Sequence, residues 1–292
     1  MVQVVTSVPR HDYPTDNAAE GLSVLNETAN WILGELDEPD DIGRGQALST
    51  SLALAQTHCA VDPYASKFET WEAWVTAMQV GSALFDSATA AEGPVVCRIG
   101  SHGAVKNLPA TGPTSYTHAG AWLTSFYLAV VCRDNARLER LAQVPVAFLR
   151  ESGAVFDEYI YSWVETLQSL FFGRQDVGEK LESAFHGTDP EVAQVADKET
   201  LLKILYPPIN LFYRFVKRDS MEFNEALVEA LTWHKQYWTG DEARSVSSDG
   251  LVALGPLALA CMAYDNDFPI EVESEYLPKA LLQRNWVGEY AT

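Results

Sequence analysis

The sequence predicts an all-α fold, an array of antiparallel amphipathic helices around one core, with a minor β-hairpin near residues 95–108. Three observations predict it. Apolar residues recur at helical spacing along most of the chain, only two short runs resemble strands, and a composition of 47% hydrophobic and 21% charged residues is typical of a globular chain. The length suits a single domain over 1–292, with a possible subdivision near 188–200. We expect the N-terminal arm at 1–16 to be loosely ordered.

The first part of the chain contains three predicted helices. Apolar residues at helical spacing predict a helix over 17–36 that stops before Pro39. Ser66 and Glu69 have the spacing of a capping box, in which each side chain satisfies a free N–H group of the other residue, and this predicts the start of the next helix. A third helix over 114–132 is rich in aromatic residues.

Two short runs between these helices favour a hairpin. Val95–Ile99 and Ala104–Leu108 are separated by four residues, Gly100 to Gly103, which suit a hairpin loop. Because a lone hairpin is marginally stable in water, we expect this one to lie against the helices.

The second part of the chain continues the helical pattern, with further helices predicted over 157–172 and 219–238. Pro207-Pro208 interrupts an apolar pattern, and since proline removes a helical N–H we expect a sharp break there, with Pro208 opening the second helix. The segment Leu251–Met262 is apolar on all sides and is therefore predicted to be a buried helix, kinked or restarted at Pro256.

The charge of the chain excludes several functional classes. Forty acidic against twenty basic residues give a formal charge of −20, which argues against a nucleic-acid partner. No apolar run approaches the ~18 residues of a membrane span and the N-terminus lacks the pattern of a signal peptide, so we expect a cytoplasmic protein without a membrane partner. The acidic excess lies in residues 1–100 and 219–292, on either side of a nearly neutral middle.

Motifs of catalytic chemistry are absent from the sequence. It contains no zinc-protease, hydrolase-elbow or phosphate-loop pattern, and its four cysteines are dispersed. His234 falls on the apolar stripe of its helix, which favours a structural role. We therefore identify no catalytic residue, metal ligand or cofactor; the residues favour a protein that is not an enzyme without deciding the point.

Two acidic clusters are candidates for binding a basic partner. One surrounds Pro39 and the other lies near the C-terminus. A single surface carboxylate usually serves solubility, whereas a set of them can cover a basic surface on another protein. The candidate partner-binding residues are Asp37, Glu38, Asp40, Asp41, Glu271, Glu273 and Glu275.

A different hypothesis places a small-molecule pocket near Tyr116, His118 and Trp122. These residues follow a Gly-Pro turn at the start of a predicted helix, where the positive end of the helix dipole favours an anion. Under this hypothesis the protein is a helical enzyme or a ligand-binding protein of a biosynthetic pathway.

Five long segments, taken together and in order, resemble the immunity protein 49 family of bacterial polymorphic toxin systems. The resemblance extends over roughly residues 20–290 and rests on many helical blocks rather than on one diagnostic motif. The segments are Trp74–Phe85 (WVTAMQVGSALF), Leu108–Asp134 (LPATGPTSYTHAGAWLTSFYLAVVCRD), Leu201–Asp219 (LLKILYPPINLFYRFVKRD), Phe223–Thr239 (FNEALVEALTWHKQYWT) and Val252–Leu282 (VALGPLALACMAYDNDFPIEVESEYLPKALL).

The resemblance implies an all-α bacterial protein that protects its producer by binding a cognate toxin domain. It carries over no catalytic residues. Many secreted toxins attack nucleic acid through basic clefts, so an acidic partner would be steered onto them quickly. We therefore expect a cognate toxin domain, basic in character, to be bound stoichiometrically through the acidic surface; the sequence does not indicate the oligomeric state.

Overall fold

The computed structural model describes residues 5–16, 18–38, 41–100 and 104–288. Helix accounts for 63% of the chain and strand for 5%, which confirms the predicted all-α class with its small hairpin. The chain divides into two compact units, a first unit built from residues 15–155 with the chain end from Trp286, and a second built from 156–285 with the N-terminal segment. The single domain over 1–292 stays a prediction.

Strands are few and short. They are β1 (Thr6–Ser7), β2 (Val95–Ile99), β3 (Ala104–Leu108) and β4 (Val272–Glu273). The α-helices are α1 (Ala18–Gly34), α2 (Ile42–Val61), α3 (Phe68–Thr89), α4 (Ala119–Cys132), α5 (Asn135–Ala142), α6 (Val146–Arg150), α7 (Glu158–Phe171), α8 (Val177–Gly187), α9 (Lys198–Thr200), α10 (Tyr206–Val216), α11 (Ser220–Trp238), α12 (Glu242–Ser245), α13 (Leu254–Asp265) and α14 (Lys279–Leu282).

In the first unit, α1, α2 and α3 pack in sequence and the hairpin lies against them. The two strands pair antiparallel with Val95 opposite Leu108, as the sequence predicts, and the loop residues 101–103 lie outside the described part of the chain. The hairpin is not isolated, because each strand contributes its last residue to a shared core. That core consists of Ile32, Leu36, Ala47, Val80, Ala83, Leu84, Ile99 and Leu108.

In the second unit, α7 packs against α8 and α10 against α11, while α13 contacts both α10 and α11. Trp163 on α7 meets Phe212 on α10 edge to face, with ring centroids 5.2 Å apart. Helix α13 is buried from Pro256 to Cys261, as its apolar sequence predicts. Pro256 lies in its first turn, so the helix starts there rather than bending.

The N-terminal segment, expected to be loosely ordered, has defined partners in residues 5–16. Thr6 and Ser7 pair in parallel with Val272 and Glu273. His11 is buried, and its backbone N–H donates to the hydroxyl of Tyr276 at 3.0 Å, while its ring Nδ1 lies 2.8 Å from the same hydroxyl. No local pattern indicated these contacts because the partners are about 265 residues apart in sequence.

The predicted capping box at Ser66 is wrong. Helix α3 begins at Phe68 after Lys67, and no side chain caps its first turn. Ser66 instead donates through both its N–H and its hydroxyl to the buried carboxylate of Asp62, which also accepts the Thr70 hydroxyl at 2.7 Å. Burial alone would raise the pKa of Asp62, but the backbone N–H of Lys67, which donates at 2.9 Å, and the donors of Thr70 and Ser66 outweigh it and lower the pKa. An ionised carboxylate is a stronger acceptor than a serine hydroxyl, so it displaces the local cap.

The sharp break expected at Pro207-Pro208 is also wrong. A π-helical turn at Leu201–Leu205 leads directly into α10, and both prolines lie in the first turn of that helix. The wider π turn changes the hydrogen-bonding pattern just where proline supplies no N–H, so the chain passes the prolines without leaving the helical region.

His234 lies in the core of the second unit, on the stripe where the sequence places it. Its Nε2 is 3.1 Å from the carbonyl oxygen of Gly250, and its ring meets Tyr276 edge to face at 4.8 Å. Burial lowers the pKa of His234 to about 4, so the ring is neutral at physiological pH.

We expect the buried His234 to make the free energy of unfolding depend on pH. The unfolded chain takes up a proton near pH 6.5 and the folded chain only near pH 4, so unfolding becomes easier as pH falls through this window and its free energy is constant above it. The contribution is on the order of 3 kcal/mol across the window. Urea denaturation of wild type and His234→Gln between pH 4 and 7 measures the difference.

His186→Gln is the control for this experiment, because the His186 side chain is largely exposed beside Glu182. Because the substituted side chain is largely in solvent, the free energy of unfolding should change by less than about 0.5 kcal/mol. A His234→Gln variant whose unfolding has the same slope with pH as wild type would contradict the assignment.

Candidate functional site

The first acidic cluster is a loop built around one buried cation. A 3-10 turn at Glu35–Asp37 follows α1, and α2 begins at Ile42. Arg44, in the first turn of α2, is only 1% exposed. We call residues 35–41 the acidic loop; Pro39 and the candidate residue Asp40 lie outside the described residues.

The guanidinium of Arg44 holds the acidic loop by hydrogen bonds to backbone and side chain. Its Nη1 donates to the carbonyl oxygens of Leu36 at 3.2 Å and Glu38 at 2.6 Å, and its Nη2 donates to the carboxylate of Asp41 at 2.7 Å. A buried arginine cannot lose its charge, so it requires acceptors on every side. The loop supplies them and is thereby fixed in one conformation.

Tyr116 joins this array from the other side. Arg44 Nε donates to the Tyr116 hydroxyl at 3.3 Å, and that hydroxyl lies 3.4 Å from Asp41 Oδ1. Burial alone would lower the pKa of Arg44, but the bonds to Asp41 and Tyr116 outweigh it and raise the pKa. The structure thus brings together Asp41 and Tyr116, which the sequence assigned to two different hypotheses.

The carboxylates of the acidic loop differ in their freedom to meet a partner. Asp37 accepts the backbone N–H of Asn107 on β3 at 2.9 Å and has Lys106 at 3.8 Å. Asp41 pairs with Arg44 but its side chain is 67% exposed. Glu38 is exposed, and its backbone carbonyl, rather than its carboxylate, contacts Arg44. Glu38 is therefore the carboxylate whose charge can be changed with least effect on the fold.

Two exposed apolar side chains border the acidic loop, and sequence reasoning missed both. Trp31 on α1 is 60% exposed and Ile42, next to Asp41, is 65% exposed. The start of α2 packs closely on the first residue of the loop, because a Cβ at Gly43 would lie 3.0 Å from the Cβ of Glu35, which follows Trp31 by one helical turn. The feature of the sequence that could have indicated this exposed surface is Trp31, because this tryptophan lies off the apolar stripe of its helix.

The second acidic cluster lies in the other unit and is anchored through its backbone. The carbonyls of Glu271 and Glu273 accept the N–H groups of Thr6 and Val8 at 2.9 and 3.0 Å. The side-chain oxygen of Asn224 accepts the N–H of Glu271 at 2.7 Å. The Glu273 side chain is exposed and that of Glu275 half-buried, so both patches combine a fixed backbone with outward carboxylates.

The three residues of the pocket hypothesis have separate neighbours. Tyr116 belongs to the Arg44 array, whereas the ring of His118 caps α4 by accepting the N–H of Ala121 at 3.1 Å. Burial lowers the pKa of His118. The Trp122 side chain is buried, and its indole N–H donates to the Leu141 carbonyl at 2.8 Å.

Within residues 5–16, 18–38, 41–100 and 104–288, no group of three or more His, Cys, Asp or Glu side chains is arranged to hold a metal ion. No helix in those same ranges has both the length and the apolar character to cross a membrane.

We expect Arg44→Met to destabilise the protein by about 2–4 kcal/mol, because it leaves buried carbonyls and the Asp41 carboxylate without their donor. Guanidinium denaturation measures the loss. Lys67→Met removes one exposed positive charge in the same unit and should change the free energy of unfolding by less than about 0.5 kcal/mol. Equal stability of the two variants would show that the Arg44 array does not hold the loop.

Comparison with known proteins adds one positive finding. Neither the curated proteins nor the solved structures contain a match to this chain. The family model described as Immunity protein 49 matches residues 62–281, which is more than half of the chain. This match agrees with the resemblance carried by the helical segments, and the chain belongs to the Immunity protein 49 family.

Proposed function

We propose that this protein is an immunity protein that binds and neutralises a cognate toxin domain through acidic surface, with the acidic loop as its main contact. The observation that carries the proposal is the Arg44 array, which fixes a loop bearing Asp37, Glu38 and Asp41 in one conformation. A loop that is already ordered loses little conformational entropy on binding, which favours affinity. Family membership supplies the expectation of a toxin partner.

The charges of the loop support a basic partner. Among the described residues, Arg44 pairs with Asp41 and Lys106 with Asp37, while no cation pairs with Glu35 or Glu38. The described part of the loop therefore keeps a net negative charge. In a chain of formal charge −20, this local excess adds to a long-range field that attracts a basic surface. Steering of this kind raises association rates by about 10- to 1,000-fold at low salt.

Trp31 and Ile42 support the same surface for a different reason. Binding energy at protein interfaces is concentrated in a few apolar or aromatic anchors, while charged groups around them set the rate and the register of association. An exposed tryptophan one helical turn before an acidic loop, with an exposed isoleucine directly after that loop, has that composition. The proposed contact therefore has Trp31 and Ile42 at its centre and the acidic loop at its rim.

We expect Glu38→Lys to slow association with the cognate toxin domain by about two- to fivefold at low salt, with dissociation nearly unchanged. The reason is that an exposed rim charge acts during encounter. Stopped-flow or surface-plasmon measurements at two salt concentrations determine both rates. Glu139→Lys reverses an exposed charge on α5 of the same unit, outside the proposed contact, and should have a smaller effect.

We expect Trp31→Ala to weaken binding by at least about 30-fold, through faster dissociation, while the free energy of unfolding changes by less than about 0.5 kcal/mol. Tyr64→Ala, which removes an aromatic side chain of similar exposure in the same unit, is the matched control. Survival of cells that co-express the toxin should follow the same order. Full protection by Trp31→Ala together with unchanged dissociation would refute this surface.

The second acidic patch is tested by Glu273→Lys, with Glu225→Lys as an exposed control in the same unit. If association slows only with Glu273→Lys, the contact lies at residues 271–275 and the assignment to the acidic loop is wrong.

Because the proposal is stoichiometric binding, the toxin recovered from the complex should have an unchanged mass. A covalently altered toxin would overturn it in favour of an enzyme.

A further inference from the structure

A groove of about 810 Å³ opens within the first unit, away from the acidic loop. It is bordered by the C-terminal end of α3, by strand β2 and by α5 with the turn that follows it. Its volume falls within the range of about 300–1,000 Å³ that binding sites occupy. None of its lining residues belongs to the candidate site described above.

The groove follows the edge of strand β2 rather than one of its faces. Val95, Val96, Cys97 and Arg98 all line it, one after another. Because successive side chains of a strand point to opposite faces, only the strand edge can place four consecutive residues along one groove.

The register of the hairpin shows which backbone groups this edge offers. Asn107 on β3 donates its N–H to Asp37, outside the hairpin. Asn107 and its partner Val96 therefore form a non-hydrogen-bonded pair, in which the backbone N–H and C=O groups of both residues point outward from the hairpin. Two residues on, the Arg98–Val105 pair repeats that geometry. Val96 and Arg98 therefore direct an N–H and a C=O each towards the groove. Within the described residues no hydrogen-bond partner occupies these groups.

The charge of the groove is opposite to that of the protein. Three of the twenty lysines and arginines, Arg98, Arg137 and Arg140, line it, against the single carboxylate of Asp86. Arg140 contacts Asp86 at 3.1 Å and Arg137 pairs with Asp134 at 3.1 Å, whereas Arg98 is exposed and meets no carboxylate among the described residues. Arg98 is thus the cation available to a ligand.

The remaining lining is neutral. Burial raises the pKa of the Cys97 thiol to about 11, which keeps it protonated at physiological pH. Val96 is 66% exposed, and it lies two residues from Arg98 on the same face of the strand. One apolar and one cationic side chain thus stand side by side along an edge with unused backbone groups.

We propose that this groove binds an extended segment of a partner protein, which adds as a strand to the edge of β2 and places an apolar residue opposite Val96 and a carboxylate opposite Arg98. The strand β2 spans about 16 Å, which accommodates four to five residues of such a segment. Main-chain hydrogen bonds supply affinity in this mode of recognition, and side chains at alternate positions supply specificity. The proposal holds for any partner with this segment and is independent of the toxin contact.

A peptide fits these observations better than a nucleic acid. An edge of alternating N–H and C=O groups matches a peptide backbone, whereas a nucleic acid offers no such series of donors and acceptors. The overall charge of −20 repels a chain of phosphates, while one carboxylate opposite Arg98 needs only local attraction.

The test uses the full-length protein and short fluorescein-labelled peptides measured by fluorescence anisotropy. The probe is threonine throughout except for one glutamate and one valine two positions apart, tested in both orders. In the order Glu-Thr-Val, which places the glutamate opposite Arg98 and the valine opposite Val96 in a strand antiparallel to β2, the N–H groups of the glutamate and valine face β2. Methylation of these two backbone nitrogens should therefore weaken binding by at least about tenfold. Methylation of the threonine between them removes an N–H that faces away and should change affinity much less.

Variants of the protein complete the test. Arg98→Ala should weaken binding by about fivefold, whereas Lys67→Ala, which removes an exposed positive charge outside the groove, should leave affinity unchanged. Val96→Pro removes the outward N–H without removing a bond to β3, and should also weaken binding. Circular dichroism checks its fold, and if it does not fold the methylated peptides decide.

Three outcomes would overturn the proposal. They are no binding of either peptide, equal binding of all methylated forms, and binding of a single-stranded oligothymidine with no binding of peptide. The first two exclude pairing with the strand edge, and the third assigns the groove to an anion of another class.

Discussion

Arg44 carries a permanent charge at a position with almost no exposure to solvent. The acidic loop has its conformation because the buried guanidinium requires hydrogen-bond acceptors, which the loop supplies. Two loop carbonyls, one carboxylate and the Tyr116 hydroxyl surround the guanidinium. An unmatched buried charge would cost several kcal/mol, so these acceptors are held together as a set. The carboxylates that face outward owe their fixed positions to this single inward cation.

The hairpin connects this loop to the rest of the first unit. At the outer edge of β3, Asn107 donates its N–H to Asp37. The core residues Ile99 and Leu108 pack the hairpin against α1, α2 and α3. Its other edge faces a groove in which the charge is reversed. A two-stranded sheet thus separates an acidic surface from a groove that presents Arg98.

Membership of the Immunity protein 49 family and the physical properties of the chain contribute different parts of the proposed function. The family gives a class of partner, while the charge distribution and the exposed Trp31 give a surface. The two acidic clusters lie in different units, one fixed by Arg44 and the other by backbone bonds to Thr6 and Val8. Comparing variants in each unit therefore locates the contact without changing the other patch.

Periodicity within the sequence determined most of the helices and the strands of the hairpin, because the spacing of apolar residues is a local property. It also placed His234 and the apolar helix α13 in the core, since a stripe or a fully apolar segment must be buried. The local composition of residues 37–41 likewise identified this segment as acidic from the sequence alone.

Only the tertiary structure decided how these pieces meet. Arg44 finds Tyr116 across 72 residues and His11 finds Tyr276 across 265, and no local pattern encodes such pairs. At Ser66 and at Pro207, local rules failed because a buried carboxylate and a π turn satisfied the backbone better than the expected cap or break. Short-range propensities set which segments are helical, whereas the need to pair every buried charge and backbone group set the loop, the strand edges and the candidate site.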